Sequence, residues 1–202
     1  MPLNVTRWSV PHGLPTNKCT VGMDIALNAS ALAVLRPGSL LVYAWTFEGV
    51  PEVQTITSVQ DVIRAALSDA EVVAADLLAI EAGAFRSASR QFTLGAAWGS
   101  VVAAVAGPPI ISVPPTSLKK AIAANGRAAK GDMLTSITAH LPTAPYAHDD
   151  NAVDAVSLAY LGQVVLTPSL SSVRATREVA RSLELHTTTP LPVRIREHGT
   201  IG

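Results

Sequence analysis

The sequence predicts an α/β fold, a mixed five-stranded sheet with helices on both faces. Three observations lead there. Three short apolar stretches rich in β-branched and small residues, at 19–27, 31–35 and 40–47, follow one another across turn signals. Helical and strand-like segments then alternate as far as Val113. Three more helical segments follow. A meander succeeded by βα units makes a mixed sheet, because antiparallel hairpins and parallel crossovers then share it.

Taken in order, residues 1–18 hold Pro2, Pro11, Gly13 and Pro15 without periodicity and read as an extended arm. Asn28 and Ala29 separate the first two strands, and Arg36-Pro37-Gly38-Ser39 the next two. Ser58–Leu67 is helical, with apolar Val59, Val62, Ile63, Ala66 and Leu67 on one side. Val72–Ile80 reads as a strand interrupted by Asp76. Ser87–Ala106 is an alanine-rich helix stopped by Gly107-Pro108-Pro109. Ile110–Val113 is a short strand stopped by Pro114-Pro115. Thr116 caps a helix through Ala124, which Asn125-Gly126 ends. Asp132–His140 is another helix, and Asp149 caps a strong one from Asp150 to about Leu166. The tail carries a helix at Ser171–Leu185 and then turn-prone sequence. The chain divides into an arm at 1–18, a domain at 19–166 and a tail at 167–202.

Composition bounds the function. Of 202 residues, 49% are hydrophobic and 15% charged, enough apolar material for a sizeable core. Aromatics are 4%, so alanine, valine and leucine must build that core. No apolar run approaches a membrane span, and Met1–Thr20 lacks a secretory pattern. The single cysteine, Cys19, excludes an internal disulfide framework and a cysteine-rich zinc site, and suits a reducing compartment. Formal net charge is zero, but its distribution is uneven. Between Thr46 and Glu81 lie Glu48, Glu52, Asp61, Asp69, Glu71, Asp76 and Glu81 against Arg64 alone. Between Ala82 and Gly131 lie Arg86, Arg90, Lys119, Lys120, Arg127 and Lys130 with no acid. A neutral total can hide a positive face suited to a polyanion, although ordinary surface clustering gives the same pattern.

Three acidic features break their local pattern. Asp24 lies inside the apolar strand Val21–Leu27, where a carboxylate is costly unless paired, metal-bound or at an edge facing water. Glu81 ends the strand Leu78-Ala79-Ile80-Glu81. Asp150 and Asp154 stand four apart on one helix face, with Asn151 three before Asp154. Capping and the helix dipole account for Asp149 and Asp150, at about 1 kcal/mol each, and less well for Asp154. Carboxylates from the first strand, a later strand end and a late helix can converge, and such hard oxygen ligands suit Mg²⁺ or Mn²⁺. Two such ions ~4 Å apart activate water and steady the leaving oxygen of a phosphodiester.

The chain resembles the RuvC-like Holliday junction resolvases of the ribonuclease H-like superfamily, from about Val21 to Leu161. The resemblance rests on Val-Gly-Met-Asp at 21–24, Ala-Ile-Glu at 79–81 and Leu-Gly-Ala-Ala-Trp-Gly-Ser-Val-Val-Ala-Ala-Val at 94–105. Leu-Lys-Lys-Ala-Ile-Ala-Ala-Asn-Gly-Arg-Ala-Ala-Lys at 118–130 and Asp-Asp-Asn-Ala-Val-Asp-Ala at 149–155 complete it. It implies a ribonuclease H-like sheet, homodimers, divalent metal with two ions per site, and paired nicks in four-way DNA. It implies that Asp24, Glu81 and Asp154 are metal ligands and that Lys119 and Lys130 serve DNA binding or catalysis. Lys120 and Arg127 are expected to assist in binding DNA. Phe85 sits one position beyond the family's junction-facing aromatic. Two departures stand out: Asp24-Ile25-Ala26 replaces Asp-Pro-Gly, and Asn151 replaces an acid or histidine. Asp150, on the same helix face, is the candidate for the missing carboxylate.

The leading expectation is therefore a metal-dependent endonuclease of branched DNA, cytoplasmic and beside DNA in a bacterial or phage-infected cell. Compact size, unusual motif spelling and added tails suit a phage-encoded resolvase. A junction-binding relative that no longer cuts is the alternative, against which the retained acids argue. An actin-like or sugar-kinase-like ATPase fragment is a third, but that fold needs two such domains and glycine-rich phosphate loops. Gly95, Gly99 and Ala103 recur every four residues and either receive a second subunit or pack on the chain's own sheet. His148 reads as solvated, Trp98 as core and Cys19 as buried packing. His12, His140, His186 and His198 show no metal-ligand spacing.

Overall fold

The computed structural model describes residues 4–11, 16–26, 29–46, 52–72, 74–82, 88–105, 107–141 and 149–183. Phe85, His12, His148, His186 and His198 lie outside them. Six strands form one sheet: β1 (Asn4–Pro11), β2 (Thr20–Asp24), β3 (Ala29–Arg36), β4 (Ser39–Thr46), β5 (Leu77–Glu81) and β6 (Ile110–Val113). Their order is β1-β4-β3-β2-β5-β6. The meander pairs antiparallel, whereas β2, β5 and β6 run parallel. The helices are α1 (Glu52–Asp69), α2 (Ala88–Ala104), α3 (Pro115–Ala123), α4 (Lys130–Thr138), α5 (Asp150–Leu166) and α6 (Arg174–Ser182).

The alternation of side chains along each strand divides the core in two. Ala31, Ala33 and Leu35 of β3 face one layer, with α3, α4, α5 and α6; Leu32 and Val34 face the other, with α1 and α2. Helix α5 is buried nearly all round because it lies between the sheet and three other helices. Buried Thr20 donates its hydroxyl proton to the Ala159 carbonyl at 2.8 Å. Gln163, also buried, donates to Lys18 O at 2.8 Å and Leu35 O at 3.3 Å. These bonds fasten the helix to β2, to the residues just before it and to β3.

Several expectations shift. The arm supplies a sixth strand, β1, paired with β4 from Asn4↔Thr46 to Pro11↔Ser39. It is held down by Arg7, whose guanidinium reaches Asp69 at 2.7 Å, while Tyr43 donates to the same carboxylate at 2.7 Å. The strand expected from Val72 begins only at Leu77. The Asp76 carboxylate is already committed to Cys19 N–H at 2.7 Å and to Lys18 at 3.0 Å. Thr116 does not cap α3: the preceding residue is Pro114, and Pro115 at the first turn needs no partner for its nitrogen. Asp149 does cap α5, accepting from Ala152 N–H at 3.0 Å. Cys19 is half-buried, and burial pushes its thiol up.

Candidate metal centre

Register brings the first two acids together. Met23 of β2 pairs with Ile80 of β5 in parallel, so Asp24 and Glu81 are the next residues on adjacent strands. Both follow the side-chain phase of residues that face α5: Gly22 in β2, Leu77 and Ala79 in β5. The third acid arrives with α5, whose first turns cross β2 at Gly22. A Cβ built on Gly22 would lie 3.0 Å from Ala159 Cα and closer still to the Ala155 carbonyl oxygen and the Ala159 nitrogen. Only glycine permits that approach, and small Ala155 and Ala159 sit opposite it. Asp154, beside Ala155, is thereby delivered to Asp24. Carboxylate oxygens of Asp24, Glu81 and Asp154 all lie within 4.8 Å of one another.

Three carboxylates this close cannot all ionise cheaply. Burial, then Glu81 and Asp154, push Asp24 up to about 8. Burial followed by Glu81 raises Asp154 to about 6, while Lys119 and Lys130 oppose the rise. Glu81 is also raised by burial, against its hydrogen bond with Asp24 and the charge of Lys119. An all-oxygen donor set with uncompensated negative charge fits a hard divalent cation, which would replace the retained proton.

A pH dependence follows. Folded Asp24 keeps its proton up to about pH 8, whereas an unfolded aspartate releases it near pH ~3.9. The folded state binds more protons between those limits, so metal-free stability falls as pH rises through them. Melting temperature without metal is expected to drop from pH 5.5 to 8.5, and Mg²⁺ to restore it most at the alkaline end. A flat metal-free profile in thermal melts would contradict this.

The remaining expected residues are spread along α3 and α4. Lys119 stands close enough to act on both Glu81 and Asp154. Lys130 begins α4 and pairs with Asp150, and its cation also senses Asp154 and Asp24. Asp150 is thus not one of the three converging acids; it meets Lys130 instead. Lys120 is exposed, and its charge reaches Glu178 of α6. Arg127 is exposed in the turn between α3 and α4. Asn151 is half-buried. His140 stacks on Tyr160 with ring centroids 4.8 Å apart, a packing role. Sequence reasoning missed Gly22, Thr20 and Gln163 as site-builders, although a glycine inside a strand and a glutamine inside an apolar helix both signal a special contact.

No protein-family model and no curated protein matches the chain. Solved structures do. Thermus thermophilus RuvC matches at 22% identity over 70% of this chain and 90% of that one, with a TM-score of 0.53. The T. thermophilus RuvC complex with a Holliday junction substrate matches over the same shares at 22% identity and a TM-score of 0.60. The fold is that of RuvC. Within this RuvC fold the three acids occupy the ends of two neighbouring parallel strands and the facing helix. Chain beyond the RuvC match amounts to almost a third of the protein.

Proposed function

We propose that this chain is a metal-dependent endonuclease that resolves four-way DNA junctions by paired nicks. The observation that carries the reading is the convergence of Asp24, Glu81 and Asp154 inside a fold shared with a RuvC bound to a Holliday junction. Mg²⁺ or Mn²⁺ held by these acids, one ion or two, would activate a water and offset charge at the scissile phosphate. The chain's own residues do the rest. The charges of Lys119 and Lys130 both reach Asp154, which supports a role for them in meeting the phosphates near the acids. Asp24 is itself buried, so its interaction with the neighbouring acids is less screened by water.

Asp150 remains the candidate fourth carboxylate, in competition with its Lys130 partner. Asp150→Asn is expected to raise the Mg²⁺ concentration needed for cutting about tenfold. An unchanged metal requirement would remove Asp150 from the shell.

Two opposed nicks need two related sites, so the active form is proposed to be a homodimer through α2. Supporting this, no atom among the described residues, apart from the adjoining residues and backbone of α2 itself, lies within 4 Å of a Cβ built at Gly95 or Gly99, and Gly99 and Ala103 are exposed. The small-residue stripe therefore faces away from the chain's own sheet. Sedimentation is expected to give a dimer on a junction; a monomer both free and bound would contradict it.

The function as a whole is tested on a labelled synthetic junction with Mg²⁺, Mn²⁺ or EDTA. Symmetric nicks that EDTA abolishes are expected. Binding without cutting in either metal would leave the non-cutting alternative in place, and absence of any shift would overturn both.

A further inference from the structure

Helix α6 follows α5 in sequence and packs on α3 and α5. Its buried face consists of Thr176, Val179 and Ala180. Thr176 donates its hydroxyl proton to the Ala121 carbonyl of α3 at 2.6 Å, fixing the helix in place. The opposite face carries Arg174, Arg177, Glu178 and Arg181, the i, i+3, i+4, i+7 spacing of one stripe. Arg177 is occupied by the carbonyls of Ser171 and Ser172, at 2.8 and 3.1 Å. Arg174 binds Glu178 at 2.6 Å with its side chain 87% exposed. Lys120 of α3 and Arg181 bring two further cations to the same glutamate. Lys120, Arg174, Arg177 and Arg181 against Glu178 leave a surplus of three positive charges, with Arg177 tied to its carbonyls, in a chain whose formal total is zero.

Lys120 follows Lys119, the residue whose charge acts on the acidic centre. Consecutive residues on a helix point about 100° apart. On α3 the charge of Lys119 acts on Glu81 and Asp154, whereas that of Lys120 reaches Glu178 of α6. Among the described residues, Val5 alone is a large exposed hydrophobic, and it belongs to β1. The α6 face therefore lacks the aromatic or aliphatic anchors of a protein interface or an inserted membrane helix. Exposed cations without anchors suit a phosphodiester backbone.

We propose that α6, with Lys120, is a phosphate-backbone contact that holds a DNA arm leading away from the carboxylate centre. The proposal rests on the nuclease reading above. It is tested by junction binding against salt concentration. Each lost phosphate contact lowers the log–log slope by about one. Arg174→Gln/Arg181→Gln is expected to lower it by about two and to weaken binding about tenfold at physiological salt. Arg181→Gln alone should give about half the slope change, and it leaves the Arg174–Glu178 pair intact should the double variant melt early. Glu178→Gln is expected to move affinity the other way, tightening binding a few-fold, which a merely structural role for the stripe would not do. Unchanged slopes in a protein that binds and cuts junctions would overturn this contact and leave the nuclease reading standing. Failure of the wild type to bind any junction would sink both. Loss of binding to phosphatidylserine vesicles, with junction binding intact, would assign the face to a membrane and also overturn the proposal.

Discussion

Asp24→Asn and Glu81→Gln are each expected to reduce junction cutting about a thousandfold or more while junction binding persists. An amide keeps the shape of the carboxylate but withdraws the charge that holds a divalent cation, and that charge does its work only at the reacting phosphate. In the proposed function affinity comes chiefly from cations elsewhere, so gel shifts in EDTA should match the wild type. Asp24→Asn carries a second signature. It relieves a 9% exposed acid whose ordinary ionisation burial and Glu81 resist up to about pH 8. At pH 8 without metal the variant is therefore expected to melt above the wild type. The gain is expected to grow as pH rises toward 8, because the folded wild type holds a proton that the unfolded chain has released. Loss of cutting coupled to a gain in stability distinguishes a ligand from a structural acid. Either variant cutting at the wild-type rate in Mg²⁺ would overturn the site.

Gly22→Ala is expected to be among the most damaging substitutions in the chain, costing about 3 kcal/mol or more. The added methyl collides with the backbone of α5 at Ala155 and Ala159, which no rotamer change can relieve. Helix α5 must then lift from β2, and Asp154 moves with it. Thermal melts should show the loss of stability, and any folded fraction should cut poorly. Gly131→Ala is the control: its Cβ meets nothing within 4 Å, and it lies in the first turn of α4. There alanine should be neutral or stabilise by up to about 1 kcal/mol. Equal melting of Gly22→Ala and the wild type would contradict the close approach.

What was readable in the sequence was local. The meander strands show as β-branched runs with turn residues between them, and Gly38 (φ +74°) sits in the β3–β4 turn where the Pro-Gly pair predicts it. The three acids show because each violates its surroundings, and their convergence follows once register is known. What stayed hidden depends on partners far along the chain. Strand β1 has weak alternation and a terminal proline; only its pairing with β4 and the Arg7–Asp69 contact make it a strand. Asp76 reads as a flaw in a strand until Cys19 N–H and Lys18 are seen to claim it. Gly22 meets residues more than 130 positions later, and no window of sequence reveals that. Asp150 shares a helix face with Asp154, yet Lys130, arriving from α4, takes its carboxylate. The near-neutral total charge likewise conceals the arginines of α6, because acids on α1 balance them in the sum.

The most direct test of the central claim is a crystal of the protein soaked in Mn²⁺ and measured for anomalous scattering. Bound manganese is expected among the oxygens of Asp24, Glu81 and Asp154, and absent there in Asp24→Asn. Manganese bound elsewhere, or none at millimolar concentrations in a wild-type crystal above pH 8, would contradict the assignment of these three acids as the metal centre.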